Sequence, residues 1–194
     1  MLLVIDCCLR GNDSYTRKYY QAYLQTIPQQ EIVTLELAKL AIAPLDSATL
    51  QKRELLCEKQ ELDHELFHLA YQFRDAEEIV IAAPFWDLSF PSLLKVYLEQ
   101  ITVKGLTFAY EEDGSCKGYC RAQKLRYFTT CGGYCGERHL GFEYVKALAA
   151  MLGIPECIPY IVEGLDIDPT QRDTILDQAI RSLQTDSRKD GRMI

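Results

Sequence analysis

The run Ile79-Val-Ile-Ala-Ala83 is wholly apolar and is stopped by Pro84. It suits a strand better than a helix, and apolar character on successive residues means that both faces are buried. Such a strand needs a sheet covered on both sides, so the run points to a layered α/β fold. The next segment bears on function. Pro84-Phe-Trp-Asp-Leu-Ser-Phe-Pro91 places two aromatics and a carboxylate in a loop, and helical apolar spacing resumes over Pro91–Ile101. A loop between a buried strand and the next helix is where open α/β sheets build ligand sites. The other reading of Phe85 and Trp86 is a buried aromatic pair capping the core.

The same alternation runs through the chain. Leu2–Ile5 reads as a first strand, and Ser14 starts a helix to about Leu24, with Asn12, Asp13 and Ser14 all competent caps. Glu31–Leu37 alternates as a second strand. Residues 47–74 read as a charged helix with a stripe of Leu55, Leu62, Leu66, Leu69 and Phe73. After the central strand and its helix, residues 105–118 form an excursion with an Asp-Gly turn. Lys124–Thr130 is the fourth strand of the series, residues 142–152 a helix, and Tyr160–Ile167 a last strand with its exit loop. Asp168-Pro169 opens a C-terminal helix, and a polar, frayed tail is expected from about Ser187. Strand–helix alternation of this kind predicts a parallel five-stranded sheet in the order 2-1-3-4-5, with helices on both faces. With 194 residues, 48% of them hydrophobic, residues 1–194 read as a single domain.

Several classes of function are disfavoured. The net charge of −7 argues against a nucleic-acid footprint. No apolar run approaches the roughly 20 residues that span a bilayer, and Met1–Ile5 reads as a strand and not as a signal peptide, so no membrane partner is expected. Eight cysteines are read as free thiols of a reducing cytoplasm. Two pairs, Cys116-x3-Cys120 and Cys131-x3-Cys135, open an alternative zinc or iron–sulfur reading. His64 and His68 sit four apart without a third ligand, and are read as solvent-facing or packing residues. No residue is assigned to a metal.

Three loops stand out, after the first, third and fourth strands. The first carries Arg10, Gly11, Ser14 and Thr16 at a helix N-terminus, where free N–H groups and the dipole favour an anion. It is neither a Walker loop nor a G-x-G-x-x-G fingerprint. The second is the aromatic loop. The third, Cys131-Gly132-Gly133, lets backbone approach a flat ligand closely, although a simple Gly-Gly turn is the plainer reading.

The chain resembles the flavodoxin-like NAD(P)H-dependent quinone reductases, and in particular the FMN-dependent NADH-azoreductases. Pro84-Phe-Trp-Asp-Leu-Ser-Phe-Pro-Ser-Leu-Leu-Lys-Val-Tyr-Leu-Glu99 follows the family's flavin loop, with Pro84, Leu94-Lys95 and Glu99 in register. Gly105-Leu-Thr-Phe-Ala-Tyr110 matches its G-x-T-F-x-Y, Thr130–Gly133 its S/T-x-G-G, and Gly164-Leu-Asp166 a small motif after the last strand. The phosphate-loop hydroxyls of the family fall on Cys8, Ser14 and Thr16.

The resemblance implies a flavodoxin-like three-layer sandwich and bound FMN. The phosphate would sit on Arg10 through Thr16, at the first helix N-terminus, and Cys8, Arg10, Ser14, Tyr15 and Thr16 are the cofactor-binding residues expected there. The ring would lie against Pro84, Phe85, Trp86, Asp87 and Leu88 on one side and Thr130, Cys131, Gly132 and Gly133 on the other. It further implies NADH or NADPH as co-substrate, a small-molecule acceptor such as a quinone or azo compound, a ping-pong cycle, and a homodimer. Tyr134 and His139 are the candidates for proton donors or stacking walls. The flavin carries such chemistry, while the protein supplies orientation and electrostatics. Three departures are evident: a Cys8 thiol in place of a hydroxyl, Cys131 in place of a common Arg, and Asp87 in place of a common Asn. An ionised carboxylate cannot donate a hydrogen bond, so Asp87 either lowers the flavin potential or turns away. A flavodoxin-like binding or regulatory protein with weakened flavin affinity is the alternative function.

Overall fold

A computed structural model describes residues 1–190, with side chains described through Leu183; residues 191–194, which end the expected frayed tail, lie outside them. Strands β1 (Leu2–Asp6), β2 (Ile32–Glu36) and β3 (Glu78–Ala82) come from the first half of the chain. A short pair, β4 (Phe108–Tyr110) and β5 (Cys116–Gly118), precedes β6 (Lys124–Thr130) and β7 (Glu156–Val162). The five long strands form one parallel sheet in the order β2-β1-β3-β6-β7. Counting only these five, this is 2-1-3-4-5, the flavodoxin-like arrangement. The excursion is the antiparallel β4–β5 hairpin, turned by Gly114 at φ +82°.

Helices cover both faces. Alternate residues of the strands point opposite ways, and the core divides accordingly. Leu2, Val4, Val80 and Phe128 pack against α1 (Tyr15–Leu24) and α6 (Arg172–Asp190). There Phe128 stacks on Tyr160 at 4.4 Å, with Tyr19 and Tyr23 beside them. Leu3, Ile5, Ile79 and Ile81 pack on the other side with α2 (Ser47–Glu58), α3 (His68–Asp75), α4 (Ser92–Ile101) and α5 (Leu140–Met151). The fully buried Thr107 of the Gly-x-Thr-Phe-x-Tyr stretch closes the end of α4. Its hydroxyl donates to the Ile101 carbonyl at 2.9 Å and accepts from Val103 N–H at 2.9 Å.

Two expectations need correction. The helix expected over 47–74 is two helices. Gln60 takes φ +58°, Glu61 N–H bonds to Leu56 C=O and Gln60 N–H to Cys57 C=O, a Schellman closure that ends α2. Leu55 of the expected stripe is therefore exposed, and Leu56 and Phe67 are buried instead. His64 Nδ1 accepts from Leu66 N–H at 3.0 Å, so that residue caps the next helical turn while His68 faces solvent. The last strand begins four residues earlier than expected and contains Pro159. Proline is tolerated because β7 is an edge strand.

Candidate active site

The loops after β1, β3, β6 and β7 emerge at one edge of the sheet, and backbone hydrogen bonds lace them together. Cys7 N–H donates to Ala82 C=O at 2.8 Å, Phe85 N–H to Thr130 C=O at 3.1 Å, and Cys131 N–H to Val162 C=O at 2.7 Å. The β7 exit loop returns the contact: Asp166 N–H bonds to Gly132 C=O at 2.7 Å and Gly164 N–H to Gly133 C=O at 3.1 Å.

Beneath them Asp6 anchors the first loop. It is buried at the end of β1, accepts from Cys8 N–H at 2.7 Å and from the Tyr20 hydroxyl at 2.8 Å, and pairs with Arg17 at 2.7 Å. Arg17 also reaches Glu36 at 3.1 Å, so its charge is spent on structure. Burial, and then Asp6, push the Tyr20 phenol up. No motif announces this network; its only local trace is a carboxylate closing an apolar strand.

Above it lies a cleft of about 240 Å³. Arg10, Ser14 and Tyr15 line one end, and Pro84, Phe85 and Trp86 a side. Thr130, Cys131 and Gly132 line the facing side. Each of these was expected at the site. Leu9, Asp13, Leu165, Asp166 and Arg172 complete the lining, and of these Leu9 and Arg172 were not singled out by the motifs. Arg172 donates through Nε to Leu165 C=O at 2.8 Å and through its terminal nitrogen to Asp166 at 2.5 Å. A Cβ on Gly132 would run into that Asp166 carboxylate.

Other candidates stand outside the lining. Cys8 is buried with its thiol 3.8 Å from Ala82 C=O, and burial keeps that thiol protonated. Thr16 is fully buried and shares a 2.7 Å hydrogen bond with the Thr130 hydroxyl. Asp87 (φ +49°) and Leu88 (φ +66°) form a tight two-residue turn, closed by Trp86 N–H to Ser89 C=O at 3.1 Å and Ser89 N–H to Trp86 C=O at 2.7 Å. Both central residues at positive φ define a type I′ turn, where Asp is tolerated and Leu is strained. Both side chains are exposed. Neither residue is among those lining the cleft.

Gly133 is exposed, and Tyr134, 71% exposed, lays its ring beside Gly164. His139 is only 8% exposed and sits behind the cleft wall, edge-on to Phe85 at 5.1 Å between ring centres. Its Nε2 lies 3.8 Å from Cys131 Sγ and 3.6 Å from Glu163 Oε1, and its Nδ1 has no hydrogen-bond partner. Burial, and then neighbouring Cys135, push the Cys131 thiol up.

Chemically the cleft has two ends. Ser14 caps α1, its hydroxyl accepting from Arg17 N–H at 3.3 Å. The first N–H groups of a helix have no partner within it, so this end, with Arg10, suits an anion. The other end, between Phe85, Trp86 and the Cys131-Gly132 backbone, suits a flat apolar ring.

A parallel 2-1-3-4-5 sheet with its cleft beside the first and third strands defines a flavodoxin-like α/β protein. A family model described as flavodoxin-like fold matches residues 1–186. The chain is 35% identical over 154 residues to FMN-dependent NADH:quinone oxidoreductase 2 of Clostridium acetobutylicum, covering 77% of this chain and 76% of that one. It is 33% identical over 164 residues to the FMN-dependent NADH:quinone oxidoreductase of Clostridium beijerinckii, covering 84% and 82%. In fold it is similar to the FMN-dependent NADH-azoreductase of Bacillus anthracis str. Ames Ancestor, solved in complex with FMN, with a TM-score of 0.81 at 22% identity and 97% of each chain covered. The chain belongs to the family of flavodoxin-like FMN-dependent NADH:quinone oxidoreductases.

Proposed function

We propose that this protein is an FMN-dependent NAD(P)H oxidoreductase, built as one domain over residues 1–194, that reduces a quinone, an azo compound or a related small molecule. The observation that carries the reading is the two-ended cleft, where three loops far apart in sequence meet on one edge of a flavodoxin-like sheet. Its residues fit FMN. Arg10, Ser14, Tyr15 and the α1 N-terminus would hold the phosphate. Phe85, Trp86, Thr130 and the Cys131-Gly132 backbone would hold the ring, with Gly132 letting the Asp166 carboxylate pack directly against that backbone.

FMN, when bound, would supply two-electron transfer from a nicotinamide to the acceptor. The protein's own work is to position. The Asp6 network fixes the first loop before any ligand arrives, and the Asp166–Arg172 pair braces the cleft wall. Phe85, backed edge-on by His139, would pack against the ring. Tyr134, being exposed, is free to reach a second substrate as proton donor or stacking wall, whereas His139 supports from behind.

A homodimer is part of the proposal, supported by exposed Trp86 on the cleft wall and by the exposed Leu88, Tyr134, Leu140 and Tyr144. So is a cytoplasmic location, supported by eight free thiols; among the described residues no helix is long and apolar enough to cross a membrane.

The test is anaerobic. Protein reconstituted with FMN should lose its oxidised flavin absorption on adding NADH or NADPH and regain it on adding a simple quinone. Arg10→Ala should bind FMN at least about tenfold more weakly, from loss of a charge-assisted contact. A chain that leaves FMN fluorescence unquenched overturns the reading in favour of a binding or regulatory protein.

A further inference from the structure

In sequence the two Cys-x3-Cys pairs stand side by side as one alternative metal site. The fold separates them. Cys116 is exposed on β5, its thiol 3.8 Å from Met151 C=O, and Cys120 is buried in the core beneath the hairpin. The second pair instead meets two residues that no motif had joined to it. Cys131, Cys135, His139 and Glu163 bring one ligand-competent atom each to within 4.8 Å of all the others.

We propose that these four side chains bind a single divalent metal ion of the zinc class, as a closed site that clamps the wall of the cleft.

The geometry is close to a bound one. A tetrahedral zinc with sulfur at about 2.3 Å and nitrogen or oxygen at about 2.0–2.2 Å sets its ligand atoms about 3.3–3.8 Å apart. Cys131 Sγ to His139 Nε2 is 3.8 Å and His139 Nε2 to Glu163 Oε1 is 3.6 Å. These separations match ligands around an ion and are long for a hydrogen bond between nitrogen and oxygen. The imidazole is thus buried with only a long thiol contact at Nε2 and no hydrogen bond at Nδ1, which is costly unless something else engages the ring.

Two sulfurs, an imidazole and a carboxylate form a borderline-soft donor set that selects zinc over magnesium or calcium. The spacing is also regular: Cys131-x3-Cys135-x3-His139, with Gly136 at φ +56° turning the chain between the last two. Glu163 is held in place by the backbone of a neighbouring ligand, because its Oε1 also accepts from Cys135 N–H at 2.7 Å. Binding would displace both thiol protons to solvent and leave four protein ligands with no open position. That describes a structural site and not a hydrolytic one.

The consequence is mechanical. The ion would tie together the end of β6, the exit of β7 and the N-terminus of α5, immediately behind Phe85 and next to Gly132. It would hold the cleft wall in place whether or not the cleft is filled, so this inference does not depend on what the cleft binds.

The experiment uses the full chain, reduced and dialysed against excess zinc. About one zinc per chain should remain. Replacement by Co(II) should give thiolate-to-cobalt charge transfer and strong tetrahedral d–d bands in protein stripped of any flavin. Cys135→Ser should lose the metal, while Cys116→Ser keeps it. Zinc should raise the melting temperature of the wild type and leave that of Cys135→Ser unchanged. Should Cys135→Ser fail to fold, zinc-edge X-ray absorption of the wild type decides, with two sulfur and two nitrogen or oxygen neighbours expected. Zinc-free protein after this treatment, a Cys131–Cys135 disulfide that on reduction still takes up no zinc, or a zinc held by another ligand set overturns the proposal.

Discussion

The hydroxyls of Thr16 and Thr130 lie 2.7 Å apart, joining the first turn of α1 to the end of β6 across 114 residues of sequence. Thr16 is fully buried, so its hydroxyl has no water to turn to. Thr130→Val should therefore cost about 1–3 kcal/mol, the penalty of a buried hydroxyl left unpaired. The double variant Thr16→Val/Thr130→Val should recover part of that loss in urea unfolding, because both partners are then apolar. Simple additivity of the two single variants would count against the bond.

Asp87 and Leu88 both sit at positive φ in the turn beside the cleft. Asn tolerates that conformation about as well as Asp, whereas a β-branched residue does not. Asp87→Asn should leave stability within about 0.5 kcal/mol of the wild type, and Asp87→Val should lose about 1–2 kcal/mol. Because the Asp87 side chain is exposed and absent from the cleft lining, Asp87→Asn should also leave the midpoint potential of bound FMN where it was. An upward shift on redox titration would show that the carboxylate faces the flavin after all.

Gly132 and Gly133 are adjacent but not equivalent. A Cβ at Gly132 meets the Asp166 carboxylate that Arg172 holds, while a Cβ at Gly133 meets nothing within 4 Å. Gly132→Ala should weaken FMN binding by about tenfold or more, close to 1.4 kcal/mol, and Gly133→Ala should leave it nearly unchanged. Fluorescence titration of the two variants side by side separates a steric requirement from a general need for flexibility.

Gly118 lets the hairpin cross the end of α5 in backbone contact. A Cβ there would fall 1.9 Å from the Leu152 carbonyl carbon, and Cys120 N–H bonds to Leu152 C=O at 3.1 Å on the same crossing. Backbone cannot swing aside as a side chain can, so Gly118→Ala should cost about 3 kcal/mol. Thermal unfolding checks this, and a melting temperature equal to the wild type would contradict the close approach.

Much of this architecture was legible along the chain, because it depends on short-range patterns. Buried strands such as Leu2–Ile5 and Ile79–Ala83 announce themselves by unbroken apolar character, and Ser14 by its capping chemistry. Strand–helix alternation then implies a parallel sheet, and the flavodoxin-like strand order gathers the three loops at one edge. Local pattern failed where a single residue overrode it. Gln60 at positive φ cut one expected helix into two, and edge placement allowed a strand through Pro159.

The sequence by itself determined the sheet order, the edge of the sheet that carries the site, and most of the residues lining the cleft. Only the tertiary structure decided which side chains are left for chemistry. It spent Arg17 on Asp6 and Glu36, buried the Cys8 thiol, brought Arg172 to Asp166, and set Glu163 beside Cys131, Cys135 and His139. The reason is physical. Backbone preference and hydrophobic period act within a few residues, whereas a site is made of contacts between strand ends that meet only after the sheet has formed, with no local signature in any one of the segments that supply them.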